Sequence, residues 1–423
     1  MFLLGLLRTV PCISNGWSDP DRYEALCYSD IPILYTLRGL ADGMVPYLEW
    51  PADGRPLEYP VLTGGLTYVS ALLTDLLGLQ GQAVAFYLVS MVLSLGLFLI
   101  ALAATSITVT HRVWDGLLLA LAPSIALAAT INWDMLAVAL TAVALWAWSR
   151  SRPWLAGVLL GLAIAAKFYP LLLLGPWALL ALRRRRLGAF GKTVAGAAVA
   201  WLVVNLPVAL VAPEGWAHFF AFSTERGADF GSLWLALSEL GFGVPADALN
   251  LVAVVSLVLL CALIAALTLA SSVPPRLAQV CFLVLAAFLI TNKVYSPQFV
   301  LWLLPLAVLA RPRWRDFLIW QTGEIVYFVA VWWYLAGFGE EASGLDSRWY
   351  AVAILIHVAG TGYLSALVVR DILAPRHDPV RATPPAASGQ LWDDPGGGPL
   401  DGAPDRFADP QSKPITVSKR IVV

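Results

Sequence analysis

The sequence predicts an all-α polytopic membrane protein, a bundle of about 11 to 12 transmembrane helices with further helices on its outer surface. Hydrophobic residues make up 59% of the chain and charged residues only 13%, whereas about a quarter of the residues are charged in a typical soluble domain. Apolar runs long enough for membrane helices recur from residue 83 to residue 370. These runs lack the alternation of barrel strands, and lipid permits only helices or closed barrels as spanning structures, so we expect helices.

The predicted spans follow one another with short connections. They are residues 83–105, 116–131, 135–148, 154–166, 168–182, 192–211, 247–271, 277–291, 299–310, 317–337 and 350–370. Several are short for a hydrocarbon core of about 30 Å. We expect the connections NWD (132–134), KFYP (167–170) and NKVYSPQ (292–298) to lie at membrane depth, where irregular backbone is tolerated only if it lines a protein cavity.

The start of the chain lies outside this pattern. Residues 1–10 are apolar but provide only about 15 Å of helix, half a bilayer, so they form a half-helix or the front of a first helix is missing. Residues 11–80 are predicted to be an outer loop that ends in a juxtamembrane helix over 62–78. Asp75 and the pair Gly64-Gly65 fit poorly in a spanning helix, which favours this placement.

Basic residues are concentrated in short turns, and these turns predict the orientation of the chain. The turns are SRSRP (149–153), RRRR (183–186), RPRWR (311–315) and the segment from Arg370 onward. The positive-inside rule places them in the cytoplasm and the first loop on the extracytoplasmic face of the plasma membrane. We therefore take residues 1–370 as one membrane domain and expect no nucleic-acid partner. Residues 371–423 hold too little apolar material to offset ordering and are predicted to be a disordered cytoplasmic tail.

The four cysteines divide into two pairs. Cys261 and Cys281 lie within apolar runs, whereas Cys12 and Cys27 flank a polar segment of the outer loop. An oxidising face permits a disulfide between Cys12 and Cys27, and two free thiols are the alternative.

The sequence lacks the common signatures of nucleotide and metal sites. It contains no G-x-G-x-x-G, no G-x-x-x-x-G-K-[ST], no C-x-x-C and no H-E-x-x-H. We expect no cofactor and no structural metal site, although outer-loop carboxylates are able to bind a divalent ion without a spacing signature.

Polar side chains nevertheless collect on the predicted outer side of the bundle. They are Asp30, Glu58, Asn132, Asp134, Lys167, Arg226, Asn292 and Lys293. Ionisable groups at or below the membrane interface are costly, so function is the default hypothesis for them. The set suits glycosyl transfer from a lipid phosphate sugar. The phosphate leaving group needs cations such as Lys167, Lys293 or Arg226, and the acceptor hydroxyl needs a carboxylate to take its proton.

Each of these residues also has a structural interpretation. A single carboxylate in a long loop is often only a solvated charge, and Lys167 at a helix end is able to snorkel to the interface. Arg226 has carboxylates nearby at Glu225 and Asp229 and could belong to a loop salt-bridge cluster. Asn132 and Asp134 are well placed to cap the helix that follows, with Asn132 or Trp133 at its start.

Six segments occur in an order that resembles a known family. They are CYSDIPILY (27–35), LEYPVLTG (57–64), NWDMLAVAL (132–140), LAGVLLGLAIAAKFYP (155–170), FSTERGADFGSLW (222–234) and SPQFVLWLLPL (296–306). Together they resemble glycosyltransferase family 87, the DUF2029-type mannosyltransferases of the GT-C superfamily that depend on polyprenyl-phosphate-mannose. The resemblance spans roughly residues 12 to 370.

The resemblance implies a GT-C-like bundle, a polyprenyl phosphate sugar as donor and an inverting single displacement. It implies that Asp30, in the first outer loop, is the general base, and that Asp134 is the acidic residue of the second outer loop. Lys167 and the NKVYSPQ loop resemble donor-phosphate contacts. The complete set of candidate donor-phosphate or sugar-binding residues is Lys167, Lys293, Arg226, Asp134, Asn132, Glu58, Tyr59 and Gln298.

The sequence thus predicts an integral membrane hexosyltransferase, specifically a mannosyltransferase. Its expected partners are a polyprenyl-phosphate sugar donor, a glycolipid or polysaccharide acceptor in the cell envelope, and membrane lipids. Two alternatives use the same charges differently. One is a transporter or flippase of lipid-linked sugars, and the other is a membrane subunit without catalytic activity.

Overall fold

The computed structural model describes residues 1–52, 54–338, 344–382 and 391–407. These residues form 19 α-helices and contain no β-strand. The helices are α1 Phe2–Arg8, α2 Val10–Asn15, α3 Asp21–Glu24, α4 Asp30–Leu37, α5 Val61–Leu76, α6 Ala83–Thr108, α7 Gly116–Ala120, α8 Pro123–Ala128, α9 Met135–Ser149, α10 Pro153–Ala166, α11 Leu174–Arg183, α12 Leu187–Val211, α13 Pro213–Glu225, α14 Leu233–Glu239, α15 Ala246–Ala270, α16 Leu277–Thr291, α17 Val300–Ala310, α18 Trp314–Ala336 and α19 Ser347–Leu373.

The predicted spans coincide with these helices except at 116–131, and the all-α multi-pass fold class is confirmed. By length and composition, α6, α12, α15 and α19 are able to cross a membrane. Shorter apolar helices such as α9, α10 and α16 pack among them. The span predicted at 168–182 begins as a 3-10 helix, Tyr169–Leu173, before it continues as α11.

The span predicted at 116–131 is broken into α7 and α8. Pro123 has no backbone N–H, and a proline disfavours helical geometry in the preceding residue, so Ala122 is extended with φ −62° and ψ 122°. The side chain of Gln321 accepts hydrogen bonds from the Ser124 backbone N–H at 3.0 Å and from the Ser124 hydroxyl at 2.6 Å. The backbone N–H at the start of α8 therefore finds its acceptor on α18, because no helical turn precedes it.

Helices α10 and α12 approach each other closely through glycine. An added Cβ at Gly157 would lie 2.1 Å from the carbonyl oxygen of Thr193, and one at Gly161 would lie 2.3 Å from that of Ala197. Small residues four positions apart permit such backbone contact between membrane helices. This contact fixes α10, and Lys167 follows its last residue.

The first helices and the predicted juxtamembrane helix connect to the bundle through hydrogen bonds. Arg8 of α1 donates to the carbonyl oxygen of Leu127 at 3.0 Å and to Thr130 Oγ1 at 2.8 Å. The segment predicted as a helix over 62–78 is α5, Val61–Leu76. In its first turn, Thr63 Oγ1 donates to the carbonyl oxygen of Ala166 at 2.6 Å, which ties α5 to the end of α10.

Part of the predicted tail is folded against the bundle, so the prediction of disorder is wrong for residues 374–382 and 391–407. Arg276 Nε donates to Asp378 Oδ2 at 2.7 Å, and Arg183 Nη2 donates to Asp405 Oδ2 at 2.8 Å. Composition predicted disorder because the tail is poor in apolar residues, but its aspartates pair with buried arginines of the bundle. Residues 383–390 and 408–423 of the predicted tail lie outside the described residues.

Candidate active site

Asp30 is the first residue of α4, and the chain before α9 fixes its position. The hydroxyl of Ser29 caps the helix by accepting from the Ile31 N–H at 3.3 Å, and it donates to the carbonyl oxygen of Thr130 at 2.8 Å. The Asp30 N–H donates to the carbonyl oxygen of Ile131 at 2.8 Å. The first two loops that the sequence predicts to be outer are thereby joined at the residue predicted as the base.

A disulfide holds the segment that leads to Asp30. Cys12 and Cys27 are bonded to each other, and both are fully buried. The indole N–H of Trp17 donates to the carbonyl oxygen of Cys27 at 3.2 Å. The disulfide therefore anchors the segment before Asp30 to α2.

A cavity of about 440 Å³ opens beside Asp30. Six of the residues predicted for the site line it: Asp30, Glu58, Tyr59, Lys167, Arg226 and Gln298. They come from chain segments far apart in sequence, which the bundle brings to one place. Aromatic and aliphatic side chains complete the wall, among them Tyr28, Phe219, Phe222, Phe299 and Trp332.

The two carboxylate oxygens of Asp30 have different surroundings. The hydroxyl of Tyr28 donates to Oδ1 at 2.8 Å, and that of Tyr59 donates to Oδ2 at 3.4 Å. Burial raises the pKa of Asp30 to about 6, against the opposing effect of the Tyr28 hydrogen bond. A carboxylate with such a pKa is ionised at neutral pH and still basic enough to take a proton.

Lys167 lies on the cavity wall and is held by a buried carboxylate and by aromatic rings. Its Nζ is 2.8 Å from Asp134 Oδ1 and 4.7 Å from the ring centroid of Tyr59. The second oxygen of Asp134 accepts from the indole N–H of Trp302 at 2.9 Å. Only Lys167 of this buried pair faces the cavity, because the side chain of Asp134 is 1% exposed.

Two other charged residues of the cavity wall are paired with residues that the sequence analysis did not assign to the site. Arg38 donates to both carboxylate oxygens of Glu58, at 2.7 and 3.0 Å. Arg226 contacts Asp229 at 2.7 Å, as the salt-bridge interpretation of that loop predicted. The arginine keeps 28% of its side chain exposed and lines the cavity.

Three of the predicted site residues are not among the side chains that line the cavity. Asn132 accepts from the backbone N–H of Asp134 at 3.0 Å and so shapes the start of α9. Asp134 acts on the cavity through Lys167. The Lys293 ammonium donates to the carbonyl oxygens of Thr224 and Arg226, at 3.0 and 2.6 Å, and so holds the loop that carries Arg226.

Comparison with known proteins assigns the chain to a family. The family model described as "GT87: Glycosyltransferase family 87" matches residues 59–291, more than half of the chain. The chain belongs to glycosyltransferase family 87. No curated protein matches its sequence. The crystal structure of ArnT from Cupriavidus metallidurans bound to undecaprenyl phosphate is similar to it, with 16% identity, a TM-score of 0.43, and 80% of this chain and 71% of that chain covered.

The cavity of this family 87 glycosyltransferase holds a carboxylate and two cations, which are groups able to take part in glycosyl transfer. Asp30 is a carboxylate beside open space, able to accept a proton from a hydroxyl group. Lys167 and Arg226 are cations on the same cavity wall, able to stabilise a departing phosphate. The remaining lining is largely apolar, which strengthens electrostatic interactions inside the cavity.

Three further residues of the site in this family 87 chain were not predicted from the sequence: Tyr28, Arg38 and Trp302. Tyr28 and Trp302 belong to segments that carry the family resemblance, and Tyr28 is two residues before Asp30. The family resemblance therefore pointed to these two positions, but it did not predict their hydrogen bonds to Asp30 and Asp134. No sequence pattern pointed to Arg38, because its pairing with Glu58 depends on the path of the chain between the two residues.

Proposed function

We propose that this family 87 glycosyltransferase transfers mannose from a polyprenyl-phosphate donor to a lipid-linked or envelope glycan on the outer face of the plasma membrane. The observation that carries the proposal is the presence of Asp30 and Lys167 in one cavity. A base and a phosphate-binding cation at the same open space suit displacement of a phosphate by a hydroxyl group.

In the proposed reaction, Asp30 removes the proton from the acceptor hydroxyl as its oxygen attacks the anomeric carbon of the donor sugar. A carbon–oxygen bond forms on one side of that carbon, and the bond to the phosphate oxygen breaks on the other. The anomeric configuration is inverted, the proton stays on Asp30, and the electron pair leaves with the polyprenyl phosphate. The phosphate needs no proton, because its pKa is low.

Lys167 and Arg226 are proposed to bind the departing phosphate. Lys167 lies over the ring of Tyr59 and beside Asp134, so its ammonium is held in place before the donor binds. Arg226 is able to present two parallel N–H groups to phosphate oxygens. Charge that develops on the phosphate then meets cations that need no further reorganisation.

The positions of the tail and the cavity support an extracytoplasmic active site. Helix α16 runs between them: Arg276, just before it, binds Asp378 of the tail, whereas Ser296, shortly after it, lines the cavity. The arginine-rich turns and the cavity thus lie at opposite ends of the bundle. The positive-inside rule assigns the arginine end to the cytoplasm and leaves the cavity outside.

The function is tested by transfer of radiolabelled mannose in membranes that contain the overproduced protein. We expect label to pass from polyprenyl-phosphate-mannose, and not directly from GDP-mannose, into an envelope glycolipid or polysaccharide with inverted anomeric configuration. Mass spectrometry of envelope glycolipids from a deletion strain identifies the acceptor as the species that accumulates. Movement of labelled donor across vesicles without a new glycosidic bond would contradict the proposal and favour a flippase.

A further inference from the structure

Among the residues that the structure describes, Tyr28 makes the shortest side-chain hydrogen bond to the Asp30 carboxylate. Its hydroxyl donates to Asp30 Oδ1 at 2.8 Å, whereas the hydroxyl of Tyr59 is 3.4 Å from Oδ2. Burial raises the pKa of the Tyr28 phenol well above its usual value, so the phenol remains protonated and acts as the donor. The two oxygens of the carboxylate are therefore not equivalent.

Packing fixes the ring of Tyr28 independently of that hydrogen bond. The ring stacks on Trp332 of α18, with 4.7 Å between ring centroids and 30° between planes. Tyr23 stacks on Tyr28 at 5.5 Å and 12°. The disulfide at Cys27 anchors the residue before it. The phenol hydroxyl consequently has little freedom to turn away from Asp30.

We propose that Tyr28 is a positioning residue that occupies Asp30 Oδ1 and leaves Oδ2 as the oxygen that takes the acceptor proton. The proposal rests on the function proposed above, with Asp30 as base. A carboxylate oxygen that already accepts a short hydrogen bond is the weaker base of the two. The longer contact from Tyr59 to Oδ2 is the one that an acceptor hydroxyl replaces.

Tyr28 also sets the pH at which the base becomes active. A hydrogen bond to the charged form of a carboxylate favours that form, so the Tyr28 hydroxyl holds the pKa of Asp30 below the value that burial alone would give. The charged and titratable groups around Asp30 are Tyr28, Tyr23 and Arg22 from its own loop, Glu58 and Tyr59 from the segment before α5, Asp134 before α9 and Lys167 after α10.

The test compares the pH dependence of kcat/KM for the wild-type protein, Tyr28→Phe and Tyr23→Phe. The Tyr28→Phe variant keeps the ring that stacks on Trp332 and lacks only the donor. We expect the acid limb of its profile to move upward by about one pH unit, because the lost hydrogen bond stabilises the charged carboxylate and its removal raises the pKa of Asp30. Near pH 5, this variant should lose about tenfold in kcat/KM, and it should recover most of this loss at high pH. The control Tyr23→Phe removes a hydroxyl from the same stack without a bond to Asp30, and its acid limb should stay in place.

An infrared titration of the Asp30 carboxyl band, identified by its loss in Asp30→Asn, gives the pKa without any transfer assay. A band midpoint that moves upward in Tyr28→Phe supports the positioning contact even if mannose transfer is absent and the proposed function fails. A loss of transfer by the same factor at every pH, with an unmoved band midpoint, would overturn the role of Tyr28 while leaving Asp30 as base.

Discussion

At the scale of single residues, Lys167 has two contacts that suggest different roles. Its ammonium neutralises the buried carboxylate of Asp134 at 2.8 Å and also lines the cavity. The two roles can be separated by making both Lys167 and Asp134 neutral. If Lys167 only pairs with Asp134, transfer should be kept, whereas if Lys167 binds the phosphate, transfer should be lost.

Lys167→Gln should lower kcat/KM for the polyprenyl-phosphate donor by about 10- to 100-fold, since a hydrogen bond to a charged group contributes roughly 1.5–3 kcal/mol. The double variant Lys167→Gln with Asp134→Asn removes the unpaired carboxylate and should regain stability. It should not regain transfer, because the ammonium proposed to bind the phosphate is still missing. The exposed Lys192, replaced by Gln, is the control for loss of a lysine charge. Recovery of transfer in the double variant would show that Lys167 serves only Asp134.

Much of the site could be predicted from single residues, because ionisable side chains are rare in an apolar chain. Asp30, Glu58, Lys167 and Arg226 were singled out for this reason, and all four line the cavity. Lys293 does not line the cavity, because its ammonium donates to two backbone carbonyl groups of the loop that carries Arg226. No sequence pattern predicts these hydrogen bonds. The sequence places a charge at one end of a helix but does not determine which way its side chain turns.

At the scale of helices, the position of Lys167 depends on the contact between α10 and α12. The backbones meet at Gly161, where an added Cβ would lie 2.3 Å from the carbonyl oxygen of Ala197. Backbone atoms cannot move aside as the end of a flexible side chain can, so the two helices must separate to admit a methyl group.

Gly161→Ala should therefore destabilise the protein by about 1–3 kcal/mol, the usual cost of overpacking, and should also reduce transfer by displacing Lys167. Gly191→Ala is the matched control, because a Cβ at Gly191 meets no atom within 4 Å. Thermal unfolding of the detergent-solubilised variants and a transfer assay measure the two effects. Equal unfolding temperatures for the two variants would contradict a close backbone contact at Gly161.

The helices themselves were predictable because apolar length decides which segments enter a membrane. The predicted ends are close to those of the helices, as for residues 277–291 and α16 Leu277–Thr291. The break at Pro123 was not predicted, since the apolar run continues through the proline. A backbone N–H at the start of α8 donates to Gln321, which lies about two hundred residues later in the chain. A hydropathy profile does not predict such a contact.

At the scale of the whole molecule, the folded part of the tail joins the arginine-rich ends of several helices. Arg276 binds Asp378 through two hydrogen bonds and also donates to the carbonyl oxygens of Leu309 and Ala310, at 2.7 and 2.6 Å. Arg184 pairs with Asp393 in the same region. Composition predicted a disordered tail because pairing between residues 102 positions apart cannot be recognised from local sequence.

Arg276→Gln should lower the stability of the protein by about 3–5 kcal/mol, because it removes the closest cation from the buried Asp378 and the donors to Leu309 and Ala310. Arg315→Gln is the control. Arg315 also pairs with an aspartate, but its side chain is 76% exposed, and exposed ion pairs contribute little. Thermal unfolding and protease sensitivity of the tail should separate the two variants. Unfolding temperatures that fall equally little in both would contradict a structural role for the tail.

Asp30 is proposed as the general base of a glycosyl transfer, and Asp30→Asn tests this claim most directly. The amide keeps the size of the side chain but cannot take a proton from the acceptor. Transfer of mannose from polyprenyl-phosphate-mannose should fall by about 10²- to 10⁴-fold while expression and membrane insertion remain normal. Asp42→Asn, at an exposed residue of the same loop, should transfer at the wild-type rate. Near-wild-type transfer by Asp30→Asn would contradict the claim.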